Sequence, residues 1–182
     1  LGTSSGIHAW HNEYYKRRIR VGKNEAIYKY LLETVPDVVE DEVFGPGAVI
    51  TVPVRAPINA KTRTESVEDF LNRIKYFTES WVQGGHRGGM NTHNVSATVS
   101  IKPDEWGQVS TWLWDNQESF NGLSFLPYDN GTYVQAPFED ISKEGFDSFS
   151  QHIKSINLEN VREIEDNTDL QGELACSGGS CE

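Results

Sequence analysis

Apolar and polar positions alternate most regularly between residues 95 and 101, which predicts a β-strand with one apolar face. The apolar positions are Val95, Ala97, Val99 and Ile101. A helix is predicted next, with Pro103 in its first turn and Asn121-Gly122 at its end. Its apolar stripe consists of Trp106, Val109, Trp112 and Leu113. A second short strand is predicted at 123–126, so the pattern indicates a right-handed parallel strand–helix–strand unit of an α/β sheet or barrel.

The longest predicted helix precedes the alternating strand. Thr64 or Ser66 is suited to cap its start, and Gly84-Gly85 is suited to end it. Its apolar stripe consists of Val67, Phe70, Leu71, Ile74, Phe77 and Trp81. The segment 84–94 that follows is rich in Gly, Asn and His, which is typical of a backbone that fits closely against another surface.

Four further elements are predicted outside this region. A strand at 14–21 places Lys16, Arg18 and Arg20 on one face, and those charges meet either nucleotide phosphates or water, of which water is the simpler interpretation. Asn24 is suited to cap a helix that ends before Pro36. The remaining elements are a strand at 48–54 and a helix capped by Ser142 that carries Phe146, Phe149, Ile153 and Ile156.

Charge is distributed unevenly along the 182 residues, whose formal net charge is −11. Residues 1–30 carry six Lys and Arg against two Glu, whereas residues 158–182 carry seven Asp and Glu against one Arg. The pattern predicts a globular part at 1–157 and a flexible acidic tail at 158–182.

No apolar run reaches the roughly 18 residues of a membrane span, and no leader peptide is recognisable. We therefore expect a soluble, cytoplasmic protein with neither a membrane nor a nucleic acid as a direct partner. The sequence begins with Leu1 and its single Met is Met90, which suggests a piece of a longer protein.

The two cysteines, Cys176 and Cys181, are separated by Ser-Gly-Gly-Ser near the end of the tail. Such a spacer lets the chain double back until the two sulfur atoms reach bonding distance. A flexible, exposed dithiol suits thiol–disulfide exchange, and we favour this role. A metal site is the alternative, although two thiols make an incomplete zinc set, and an inert pair also remains open.

The rest of the chain offers no self-sufficient active site, because the familiar nucleophile, phosphate-loop and zinc motifs are absent from the sequence. The segment LGTSSGIHA at residues 1–9 presents hydroxyls and N–H groups that suit a phosphate, although from composition alone a plain connecting loop is the favoured interpretation. His8 and His11 lack a third ligand at metal-site spacing, so a surface or core-edge role is favoured and no metal site is predicted.

Several stretches together resemble the adenosylcobalamin-dependent (class II) ribonucleotide reductases. They are LGTSSGIHA, YYKRRIRV, HNVSATVSI with the following DEW, GLSFLPYDNGTYVQAPFED, and the terminal CSGGSC. The resemblance runs from Leu1 to about Ile156 and includes the tail, and GTSSGIH is more similar to the monomeric, triphosphate-reducing branch. It implies a ten-stranded α/β barrel, of which this chain would supply the last strands, their helices and the C-terminal arm.

The resemblance also implies an oxidoreductase of deoxyribonucleotide biosynthesis and hence of DNA replication. In that family a thiyl radical, generated with the cobalt cofactor adenosylcobalamin, allows reduction of the ribose 2′-hydroxyl while a pair of active-site cysteines is oxidised. Cys176 and Cys181 match the mobile pair that reduces this disulfide and is recharged by a thioredoxin-type reductant. Gly2, Thr3, Ser4 and Ser5 would continue the loop that holds the phosphates of a ribonucleoside tri- or diphosphate.

The family's radical cysteine, its partner cysteines and its finger-loop Asn and Glu have no counterpart in this sequence. We therefore expect an incomplete enzyme, split or truncated and inactive alone, that needs the N-terminal portion of the same reductase. Adenosylcobalamin would be bound by the complete enzyme. The alternative is a non-enzymatic α/β module that binds a partner through its Gly/His segment and whose cysteines bind metal or are inert.

Overall fold

The computed structural model describes residues 4–85, 89, 92–128 and 133–163. The strands are β1 (Ser4–Gly6), β2 (Tyr14–Val21), β3 (Val39–Asp41), β4 (Ala48–Arg55), β5 (Asn94–Ile101), β6 (Leu123–Pro127) and β7 (Phe138–Asp140). The helices are α1 (Ala26–Thr34), α2 (Val67–Phe77), α3 (Trp106–Asp115) and α4 (Lys143–His152). A π-helix (Thr78–Gln83) follows α2 directly.

The chain divides into two compact units, each with its own sheet. The first unit comprises residues 1–15 and 55–132, and the second comprises 16–54 and 133–182. The sheet order is β1-β5-β6 in the first unit and β3-β4-β2-β7 in the second. A mixed α/β fold is thus confirmed, whereas the ten-stranded barrel, the acidic tail and the boundary after residue 157 stay predictions.

The sheet of the first unit contains the predicted strand–helix–strand unit. β1 and β6 both run parallel to β5, with Ser4 beside Asn94 and Pro127 beside Ile101. The alternation along β5 is confirmed, because its four apolar residues are all buried. α3 joins β5 to β6, as predicted, and the hand of this crossover stays a prediction.

The bounds of α3 differ from the prediction at both ends. The helix begins only at Trp106, so Pro103 precedes it, and it ends at Asp115, six residues before Asn121. The prediction that Trp106 belongs to the buried stripe is wrong, since 44% of this residue is exposed. The buried side of α3 is formed by Val109 and Trp112, whose indole N–H donates to Asn72 Oδ1 at 3.0 Å.

The start of α2 is confirmed, because Ser66 Oγ accepts a hydrogen bond from Asp69 N at 3.1 Å. The predicted apolar stripe is buried from Val67 to Ile74. Phe77, however, is 39% exposed, because it lies at the edge of the apolar stripe, and the buried side continues from Ile74 through Thr78 and Val82. Gly84 ends the combined helix, as predicted.

The second unit is built around β2. Its basic side chains, for which water was favoured over phosphate, form ion pairs with carboxylates of the same unit, and they stay exposed to different extents, from 16% for Arg18 to 50% for Arg20. These pairs are Lys16–Glu139 (3.4 Å), Arg18–Glu40 (3.8 Å), Arg18–Glu139 and Arg20–Glu42 (2.7 Å). β4 matches the predicted strand with one residue added at its end.

The two helices of the second unit differ in how well their starts were predicted. Asn24 is not the cap of α1, because Glu25 occupies that position and makes no side-chain capping bond. Ser142 caps α4 as predicted, accepting a hydrogen bond from Gly145 N at 3.1 Å. Phe149 and Ile153 of the predicted stripe pack against the core of this unit.

Glu139 links the stability of the second unit to pH. The hydrogen bond from Arg18 lowers the pKa of the Glu139 carboxyl below its ordinary value of 4.5, and the charge of Lys16 acts in the same direction. A lowered pKa in the folded state means a stabilisation that is present above pH 4.5 and is lost as the pH falls through the folded-state pKa. We expect Glu139→Gln to lower the urea midpoint at neutral pH, with a difference from wild type that shrinks from about pH 6 to about pH 3.

Glu33→Gln provides the matched control, because it removes an exposed carboxylate of α1 without changing Arg18. It should leave the pH dependence of the midpoint as in the wild type. A Glu139→Gln midpoint that differs from wild type by the same amount at both pH values would contradict the role of the ionised carboxylate.

Candidate functional site

The predicted site residues lie at the two ends of the chain. Cys176, Cys181, Gly2 and Thr3 fall outside the described residues, and their predicted roles are untested. Ser4 and Ser5 belong to β1, where their backbone runs beside Asn94 and Val95 of β5. The flank of the predicted phosphate loop is therefore part of the parallel sheet.

The amino edge of this sheet brings two predicted segments together. Parallel strands begin at the same edge, so Ser4 at the start of β1 lies beside Asn94 at the start of β5. The described ends of the segments 1–9 and 84–94 thus meet, although Ser4 and Asn94 are 90 positions apart in the sequence. We take this amino edge as the candidate functional site.

His93, immediately before β5, is held from two sides at the amino edge. Its ring stacks on the indole of Trp81 in the π-helix, with centroids 4.7 Å apart and planes at 13°. Its carbonyl oxygen accepts a hydrogen bond from Asn121 Nδ2 at 3.1 Å, and Asn121 lies just before β6. Sequence reasoning missed this contact, because the three residues lie on separate elements.

Two glycines permit the close approach of the chain after the π-helix. A Cβ atom at Gly84 would lie 2.7 Å from Ser80 O, and one at Gly85 would lie 2.8 Å from Trp81 O. Both distances are too short for any side chain without a shift of backbone. The Gly84-Gly85 pair was the sequence signal for this turn, and the structure supplies its steric reason.

The carboxyl edge of the same sheet carries a cluster of cations around Tyr128. The guanidinium carbon of Arg63 lies 4.8 Å from the centroid of the Tyr128 ring, and Lys102 Nζ lies 5.9 Å from it. Both distances fall within the range of cation–π attraction. Arg63 Nε also donates to His11 O at 3.1 Å, so the cluster joins the chain after β1 to the ends of β5 and β6.

Glu105, the central residue of the DEW motif, also belongs to this cluster at the carboxyl edge. Its carboxylate accepts hydrogen bonds from Lys102 N at 3.0 Å and from Val67 N at 3.3 Å. Val67 opens α2, and its N–H has no partner within the helix. Glu105 thereby joins the end of β5 to the start of α2.

We expect Glu105→Ala to destabilise the first unit by about 1–3 kcal/mol, because two backbone N–H groups lose their acceptor in a partly buried place. Urea unfolding followed by tryptophan fluorescence measures the change. Glu79→Ala is the control, since Glu79 is half exposed and its closest approach to Lys75 is 3.9 Å. Equal effects of the two substitutions would contradict the bridging role of Glu105.

Gln135 of the Y-x-Q-A-P motif acts within the second unit. Its Oε1 accepts from Val43 N at 3.0 Å, and its Nε2 donates to Asp41 O at 2.8 Å. The residue adopts a φ of 56°, an uncommon value for a residue other than glycine. The side-chain amide thus binds the last residue of β3 and the loop that follows it, as a neighbouring strand would.

His8 and His11 contact neighbouring residues of the first unit, which agrees with the surface or core-edge role favoured from the sequence. His8 Nδ1 accepts from Thr98 N at 3.3 Å, and the His11 ring contacts Tyr15 edge to face at 5.5 Å. Within the described ranges, no three His, Cys, Asp or Glu side chains are grouped so that they could hold a metal ion. In the same part of the chain, no helix combines the length and apolar character needed to cross a bilayer.

Comparison with known proteins gives relatives along the whole chain. No protein-family model matches. Proteins named adenosylcobalamin-dependent ribonucleoside-triphosphate reductase match 99% of this chain: 25% identity for Lactobacillus gasseri, 24% for Euglena gracilis and 26% for Lactobacillus delbrueckii subsp. bulgaricus. The chain spans only 24% of the length of each of these relatives.

A solved structure supports the fold. The crystal structure of a B12-dependent (class II) ribonucleotide reductase aligns with 85% of this chain and 21% of its own chain, with a TM-score of 0.65 and 24% identity. The resemblance drawn from the sequence motifs is confirmed by these relatives, which are adenosylcobalamin-dependent oxidoreductases by name.

Proposed function

We propose that this chain supplies the C-terminal portion of an adenosylcobalamin-dependent ribonucleotide reductase that acts on ribonucleoside triphosphates. The observation that carries the proposal is the match of 99% of the chain to relatives of that name, while only about a quarter of each relative is covered. The TM-score of 0.65 with a class II reductase supports the fold that this assignment requires.

In the proposed reaction the ribose 2′-hydroxyl leaves as water and a hydrogen takes its place. The two electrons come from a pair of thiols in the remainder of the enzyme, which become a disulfide. Adenosylcobalamin, when bound, supplies the radical initiation. The proposed contribution of this chain is to form part of the wall of the site and to place Gly2, Thr3, Ser4 and Ser5 beside the substrate phosphates.

Cys176 and Cys181 would then regenerate the enzyme after each turnover. One thiolate attacks the active-site disulfide, and the second resolves the mixed disulfide. Two electrons and two protons pass to the active-site pair, and Cys176 and Cys181 become the disulfide. A thioredoxin-type dithiol reduces them again.

The proposed partners follow from the fact that this chain covers only 24% of the length of its relatives. We assign adenosylcobalamin to the complete enzyme and not to this chain alone. The remaining portion of the reductase is the proposed protein partner, whether it is supplied as a separate chain or belongs to the same one.

Complementation tests the proposal. The chain is mixed with the remaining portion of the reductase, adenosylcobalamin, a ribonucleoside triphosphate and a dithiol, and deoxynucleotide is measured. Product is expected only in the full mixture, and a mixture without adenosylcobalamin is the control. A folded chain that neither associates nor gives product would overturn the proposal. A stoichiometric metal released by thiol blocking would then favour the partner-binding module.

A further inference from the structure

Trp81 lies in the π-helix Thr78–Gln83, whose turns are wider than those of α2. π-helices are rare and frequently occur at functional sites. Here the buried positions are Thr78 and Val82, while Trp81 is only partly buried against the core. The position of Trp81 is therefore set by the irregular turn.

The parallel stack of Trp81 on His93 fixes the residue before β5. Core packing alone explains a partly buried indole, but it does not require a polar ring to lie flat on it at 4.7 Å and 13°. The backbone of His93 is also bound, through the hydrogen bond from Asn121. Side chain and backbone of one residue are thus fixed by two different elements.

The start of β5 in turn fixes the backbone of β1. Ser4 and Gly6 run beside Asn94 and Ser96, and the ladder continues with Ile7 N donating to Ser96 O at 3.1 Å. Within the described ranges, β1 has three residues and pairs with β5 alone, so its position depends on β5. A displaced start of β5 would displace β1 with it.

We propose that Trp81 and His93 are positioning residues that hold β1, and hence the flank of the substrate-phosphate loop, through the start of β5. The link to substrate rests on the proposed function, in which residues 2–5 lie beside the phosphates. The link from the stack to β1 rests on geometry alone and is tested separately.

Hydrogen exchange on the full chain tests the geometric step. His93→Ala is expected to speed exchange of the amides that join β1 to β5 by roughly three- to tenfold, since an aromatic pair is lost. His93→Phe keeps a flat aromatic ring and should restore the wild-type rate. His152→Ala, at the exposed end of α4, is the matched control. Unchanged exchange in His93→Ala would overturn the proposal, and so would a Phe variant that exchanges as fast as the Ala variant.

Kinetics of the complemented reductase test the step to substrate. His93→Ala is expected to raise KM for the ribonucleoside triphosphate several-fold while kcat stays within about twofold, because binding geometry is lost and the chemical groups are untouched. His93→Phe should return KM toward the wild-type value. A fall in kcat at constant KM would overturn the substrate link. An inactive wild-type mixture would instead refute the proposed function, and the exchange result would still decide the positioning role.

Discussion

Replacing Cys176 or Cys181 with Ser is expected to abolish multiple turnover of the complemented reductase with a thioredoxin-type reductant. A single turnover should remain within about twofold of wild type, because the first cycle uses thiols that are already reduced. A lone thiol can attack the active-site disulfide but cannot resolve the mixed disulfide that results. Deoxynucleotide formed per enzyme, followed over time, therefore stops near one equivalent.

Ser177→Ala is the matched control, since it changes the same short segment and leaves both thiols in place. It should turn over as the wild type does. A small dithiol that reaches the active-site disulfide directly is expected to restore turnover to both cysteine variants. Loss of the first turnover in these variants would contradict the proposal that the pair only re-reduces the active-site disulfide.

The parts of the fold that were predictable depend on local pattern. Alternation over 95–101 was sufficient for β5, because one face of that strand is buried and the other is not. Ser66 and Ser142 were recognisable as caps because a capping side chain bonds within its own helical turn.

The parts that were missed depend on contacts between residues far apart in sequence. No local pattern reveals that Arg18 meets Glu139, or that Trp81 meets His93. The π-helix was missed for a related reason, since the predicted helical stripe was extended at constant period to Trp81 although the period changes within Thr78–Gln83.

The motifs that carried the resemblance have structural roles where they are described. Glu105 of DEW joins β5 to α2, and Tyr128 of LPY takes part in the cation cluster. Gln135 of Y-x-Q-A-P binds the end of β3. These are long-range contacts made by short sequence signatures. The motifs therefore mark residues whose long-range contacts the periodicity of apolar positions does not predict.

Leu71→Ala is expected to destabilise the first unit by about 2–5 kcal/mol, the range for removing a fully buried leucine side chain. Leu71 has no exposed surface, and it lies on α2 within the core that contains Val95 and Val99 of β5. The loss combines the transfer free energy of the removed atoms with the cavity left between helix and sheet. Urea unfolding measures it through the shift in midpoint at constant slope.

Tryptophan fluorescence makes this measurement specific to one unit, because all five Trp residues fall within residues 1–15 and 55–132. Leu126→Ala is the matched control, a leucine of the same unit that is 55% exposed on β6. Its substitution should cost less than about 1 kcal/mol. Similar midpoints for the two variants would mean that α2 does not pack on β5, and the amino edge where Ser4 meets Asn94 would lose its supporting helix.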